Sequence, residues 1–199
     1  MKKIILLFWV LFANTATIAQ EWKLEIGSNL TRYVFTNSSG NNPEYLKSSA
    51  GYHLGISKEN KISRYVYYDV GIVLNQYNAV GDVQNIPFSY QTNFLGLSGG
   101  VGPQISITRN LTFLAKASAS LQTMYNGTQL VQNNYFDLAS DSQFTGAKVF
   151  VGYTIELSQK VNKQMALFTS YQHFDTNSFG KSTLNFIPST ISFGIKIGQ

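Results

Sequence analysis

The chain has no cysteine, only two histidines, only four prolines and few charged side chains, 13% in all. Without cysteine there can be no disulfide and no lipid-modified amino-terminal cysteine. The basic residues are scattered rather than clustered, which excludes the concentrated basic face of a nucleic-acid-binding protein. No metal-ligand cluster, phosphate-binding loop or redox pair stands out. Beyond residue 13 no stretch approaches the ~18 consecutive apolar residues that a membrane-crossing helix needs. If the mature protein sits in a membrane, strands must carry it.

What is present begins at the amino terminus. Met1-Lys2-Lys3 is basic, Ile4–Ala13 is apolar, and Thr17-Ile18-Ala19 supplies a small-residue cleavage site. This is the layout of a secretory signal peptide over residues 1–19, and Ile4–Ala13 is too short to anchor the chain by spanning. Cleavage would remove Lys2 and Lys3 from a formal charge of +5 and leave one domain, residues 20–199.

The stretch Tyr90–Ile107 sets the pattern for that domain. Leu95, Leu97, Val101, Ile105 and Ile107 share one parity, and Gly96, Ser98, Gly100, Gly102 and Gln104 share the other. A period of two means a strand, here a long one. Apolar residues opposite glycines and small polar groups suit a wall with lipid outside and a narrow packed lumen inside. Seven more segments repeat the logic: Trp22–Phe35, Ser48–Ser57, Ile62–Gln76, Leu111–Met124, Phe144–Ser158, Met165–Phe174 and a last strand that ends the chain.

Connections alternate in length. Longer polar loops are expected at Thr36–Lys47, Tyr77–Ser89, Tyr125–Gln143 and Asp175–Ser182, and short turns at Lys58–Lys61, Thr108–Asn110 and Gln159–Gln164. Tight periplasmic turns and longer external loops are the habit of outer-membrane barrels. The fold class is therefore all-β, an eight-stranded antiparallel up-and-down transmembrane β-barrel. In the last strand Leu184 and Phe186 have one parity and Ile191, Phe193, Ile195 and Ile197 the other. With Pro188 between them, a bulge or break is expected at Ile187–Ser189.

The signal peptide, the eight strands, Leu95–Pro103 and the closing Ser192-Phe193-Gly194-Ile195-Lys196-Ile197 resemble the small outer-membrane β-barrel domain family, the OmpA/OmpX-like and PorT-like barrels. The resemblance covers residues 20–199. It implies a location in the outer membrane of a Gram-negative-type cell envelope. Many members end on an aromatic residue that the insertion machinery reads, whereas this chain ends Ile197-Gly198-Gln199.

Candidate functional residues fall into three groups. The inward faces collect Lys23, Glu25, Asp69, Lys116, Lys148, Glu156 and Lys196; in a lumen this narrow they should pair, because an unpaired buried charge costs several kcal/mol. Trp22, Tyr33, Tyr77, Tyr90, Phe113, Tyr125 and Tyr171 lie near strand ends and are expected to form interfacial aromatic girdles. His173-Phe174-Asp175 with Ser170 invites comparison with a hydrolytic set, but neighbours along a strand face opposite sides and no nucleophile motif accompanies them. His53 faces inward and is expected to hydrogen-bond within the lumen.

These features imply a non-enzymatic integral outer-membrane protein with a plugged polar lumen, without cofactor or metal. Its expected partners are outer-membrane lipids, lipopolysaccharide and a protein bound by the external loops. The alternatives are a narrow pore, an accessory barrel in protein export or assembly (implied by the PorT-like resemblance), and a lipid-modifying barrel enzyme. A soluble lipocalin-like barrel would instead hold its apolar face inside.

Overall fold

A computed structural model of the chain describes residues 21–35, 46–83, 85–141, 144–178 and 184–198. The signal-peptide segment 1–19, most of the expected loop at 36–47 and the second half of that at 175–182 lie outside the described residues; residues 175–178 are the end of a strand. The elements are β1 (Glu21–Phe35), β2 (Leu46–Lys61), β3 (Val66–Val83), β4 (Ile86–Ser106), β5 (Leu111–Val131), β6 (Asn134–Asp137), β7 (Ala147–Lys160), β8 (Met165–Ser178) and β9 (Leu184–Gly198). Every pairing is antiparallel; consecutive strands pair, except that β5 pairs with β7 past the short β6 and β9 returns to β1. Eight strands thus close a barrel, and β6 is a short extra strand on β5. Closure leaves the eight wall strands without a free edge, the condition for putting a sheet in lipid.

The alternation of side chains follows the expected sides through the middle of the wall. On β7, Val151, Ile155 and Leu157 are exposed on the exterior while Thr154, Glu156 and Ser158 are buried inside. Gly194 shows why small residues line the lumen: a Cβ there would meet the Phe168 ring at 2.5 Å.

Three short turns close one end with a shared geometry. The amide of Ile62 donates to Val66 O, that of Ile107 to Leu111 O and that of Val161 to Met165 O, at 2.8–2.9 Å. The first of these turns differs from expectation. Lys58–Lys61 is not a turn but the end of β2, and the chain reverses at residues 62–65.

At the other end two expected loops are strands. Tyr77–Ser89 is the tip of the β3–β4 hairpin, paired up to Val83↔Ile86, with Asn85 at φ 65°. Tyr125–Gln143 begins as a continuation of β5 and returns as β6. Gln132 and Asn133 form the two-residue connection, both with positive φ (47° and 66°), the backbone that a tight hairpin requires and asparagine tolerates. These segments looked like loops because, beyond the bilayer, a strand no longer needs an apolar exterior.

The expected interruption at Ile187–Ser189 is present on one side of β9 only: the ladder to β8 breaks there, whereas the ladder to β1 carries no inserted residue. β9 pairs with β1 without interruption from Glu21↔Gly198 to Phe35↔Leu184. Leu184, Phe186, Pro188, Thr190 and Ser192 are all buried on one side. The β8–β9 pairing stops at His173↔Ser189, beside the residue that has no N–H to donate. Further along, the Thr176 hydroxyl takes up Phe186, accepting from its amide at 2.6 Å. What changes along β9 is polarity, not register: apolar side chains point outward below Pro188 and inward above it.

Candidate functional site

The lumen is filled in two layers. Nearest the short turns, ionic side chains form a continuous chain. Lys23 Nζ lies 3.2 Å from Glu25 and 2.9 Å from Glu156, and Lys196 Nζ lies 2.6 Å from Glu156 and 2.7 Å from Glu59. Lys116 pairs with Asp69 beside them. Glu156 bridges two ammonium groups and is buried, as are Lys23 and Lys196. Both lysines also approach the Phe168 ring, at 4.5 and 6.0 Å.

Six of the seven expected lumen charges meet in these pairs. Lys148 is also buried inside, but near the other end of β7, with its Nζ 5.4 Å from the Phe186 ring centroid. Glu59 joins the network although its segment reads as a turn. It shares parity with His53 and Gly55, so extending β2 would have found it.

A polar tier follows. His53 Nδ1 faces Asn75 Oδ1 at 2.6 Å and its Nε2 faces Glu25 Oε1 at 3.1 Å, so both ring nitrogens sit against acceptors. The Asn29 amide donates to the same Asn75 oxygen and to Tyr52 O, which fixes how Asn75 is turned. Asn75 Nδ2 and the Tyr77 hydroxyl both donate to Gln122 Oε1. A polar void of about 40 Å³ remains beside Lys23, His53, Asp69, Asn75 and Lys116. That is room for a few water molecules.

The outer layer is aromatic. Tyr33, Tyr77, Phe94, Phe144, Phe150 and Phe186 form one buried cluster. Tyr33 and Phe186 meet edge to face at 4.7 Å, and Tyr90 stacks on Phe144 at 5.7 Å. The Tyr33 hydroxyl donates to Tyr77 O at 2.9 Å, so the polar tip is not stranded.

This layer corrects the expected girdle. Tyr33, Tyr77 and Tyr90 do not face the membrane interface; they point into the barrel and pack in or against the aromatic cluster. The signal was available, since Tyr77 shares parity with Asp69, Tyr90 with Gly96 and Tyr33 with Lys23. Trp22, Tyr125 and Tyr171 are exposed on the exterior, and Phe113 lies half-buried at an outward position. Of the hydrolytic candidates, Ser170 is buried in the lumen whereas Asp175 is exposed outside. His173, at an exterior position, contacts Ser189 Oγ at 3.0 Å and the Tyr153 ring. The wall separates Ser170 from the other two.

An eight-stranded antiparallel barrel with an apolar exterior and a filled interior is the architecture of the small outer-membrane β-barrels, the OmpA/OmpX-like fold. Neisserial surface protein A has this fold with a TM-score of 0.50 and 11% identity, over 88% of this chain and 96% of that one. OprG from Pseudomonas aeruginosa aligns over 92% of this chain and 96% of its own at 10% identity and a TM-score of 0.48. Ail of Yersinia pestis, solved with the heparin analogue sucrose octasulfate, covers 89% and 99% at 10% identity and a TM-score of 0.45. No protein-family model matches the chain, and no curated protein matches its sequence.

Proposed function

We propose that the protein is a non-enzymatic integral outer-membrane barrel with a plugged lumen, acting through what it displays at its long-hairpin end. The observation that carries this reading is the double filling of the interior, by ion pairs and then by rings. Side chains of an eight-stranded barrel can fill the whole interior. Among the described residues the surface that projects at that end is the β3–β6 extension, where Tyr135 and Phe136 on β6 are 76% and 52% exposed. Exposed aromatic side chains on a projecting hairpin suit a protein partner, with outer-membrane lipids and lipopolysaccharide around the wall. The plug is tested by planar-bilayer recording of the refolded protein. No discrete conductance is expected. Resolved channels whose ion selectivity changes in Lys116→Gln would replace this reading with a narrow pore.

A further inference from the structure

The three short turns are variations on one tetrapeptide: Ile62-Ser63-Arg64-Tyr65, Ile107-Thr108-Arg109-Asn110 and Val161-Asn162-Lys163-Gln164. Each opens on a branched aliphatic residue whose amide makes the same bond to the carbonyl four residues on. Each carries Ser, Thr or Asn second and a cation third. The aliphatic residues are 61%, 56% and 53% exposed, and the three cations are exposed as well. A turn needs neither feature in order to reverse the chain. Thr108 and Asn162 do that work, accepting from Leu111 N at 3.1 Å and Gln164 N at 2.8 Å.

The turns are also tied into one rim. Gln104 N donates to Tyr65 O, Lys160 N to Asn110 O and Gly198 N to Gln164 O, at 2.7–2.9 Å. Lys58, Lys61 and Lys160 add to the cations, so six basic side chains ring this end among the described residues; Lys160 is exposed, whereas Lys58, Lys61 and the nearby carboxylate Glu21 are half-buried. Among the described residues of the opposite end, the exposed charges are of both signs: Asp82, Asp137 and Asp175 with Arg32 and Lys47.

We infer that the short-turn rim is a docking surface for the headgroups of anionic phospholipids in the leaflet it meets. The cations stand where the apolar wall ends. Lys58 lies on the exterior face in register with Trp22, its Nζ 5.8 Å from that ring, and the Arg64 guanidinium lies 5.2 Å from Tyr65. Cations beside interfacial aromatics and exposed aliphatic tips match a boundary between acyl chains and phosphates. An acidic soluble partner would account for the cations but not for an aliphatic residue at the head of all three turns.

The test is the association of spin-labelled lipids with the full chain in phosphatidylcholine bilayers, comparing labelled phosphatidylglycerol with labelled phosphatidylcholine. At low salt the anionic lipid should be favoured roughly fivefold. Arg64→Gln/Arg109→Gln/Lys163→Gln should bring the ratio close to one, and Arg32→Gln/Lys47→Gln should leave it unchanged. Folding of each variant is read from heat-dependent gel mobility. Equal association of the two lipids with the unmodified protein overturns the inference, as does a preference that survives the triple variant or disappears equally in the double one. The inference rests on the wall being in lipid. Absence of a motionally restricted component with either lipid would sink that reading too, whereas equal restriction of both sinks the inference alone.

Discussion

Between His53 and the short turns the barrel is apolar outside and ionic inside; between Pro188 and the hairpin tips its wall is more polar outside, with scattered exposed aromatics, and aromatic inside. β9 crosses from one regime to the other without losing register, with Ile191 and Phe193 outside Thr190 and Ser192, then Asn185 outside Leu184 and Phe186. β3 does the same, with Val70 and Ile72 outside Asp69, then Gln76 and Asn78 outside Tyr77 and Ala79. The inversion marks the level at which the exterior solvent changes from acyl chains to water. Above it the sheet folds as any soluble sheet does, with its greasy side inward. Below it lipid takes the apolar side chains, and the interior must be held by groups that satisfy one another.

The two fillings should fail differently. Glu156→Gln leaves Lys23 and Lys196 short of their shared carboxylate, and losing one partner of a buried ion network costs about 3–5 kcal/mol. A drop of that size should appear as a lower urea midpoint for unfolding of the reconstituted barrel. Phe186→Ala removes a ring from the aromatic layer and should cost ~3 kcal/mol, with a cavity but no stranded charge. The smallest effect separates the mechanisms. Lys116→Met alone should destabilise strongly, while Lys116→Met with Asp69→Leu should return within about 1 kcal/mol of the parent, because apolar replacement of a whole buried pair is often neutral. If the double variant is as unstable as the single, the ionic layer is held together by more than its pairing.

The same contrast explains what could be read in advance. Strand number, closure and the outward apolar stripe were legible because lipid imposes a strict period of two on Leu95–Ile107 and Val149–Leu157. The parity change around Pro188 reads as a bulge or break if one apolar side is required along the whole strand; the ladder to β8 does break there, but the change itself is an inversion of polarity in an unshifted register with β1. Residue type alone points Tyr33, Tyr77 and Tyr90 to the interface, whereas their parity places them inside. Glu59 was hidden by a charged segment that resembles a turn. The meeting of Lys23, Glu156 and Lys196 from three strands was not legible, because side alone does not say which inward groups share a level.

Which side chains face lipid and which face the filled interior is directly measurable, because the sequence has no cysteine. Val151→Cys, Thr154→Cys, Ile155→Cys and Ser158→Cys would each carry a nitroxide in the reconstituted protein, with relaxation by oxygen, which partitions into lipid, compared with that by a water-soluble nickel chelate. Positions 151 and 155 should respond to oxygen and not to nickel, and 154 and 158 should be shielded from both. Strong nickel relaxation at 154 would mean an open aqueous lumen, and oxygen exposure at 154 with shielding at 151 would mean that the barrel is inside out.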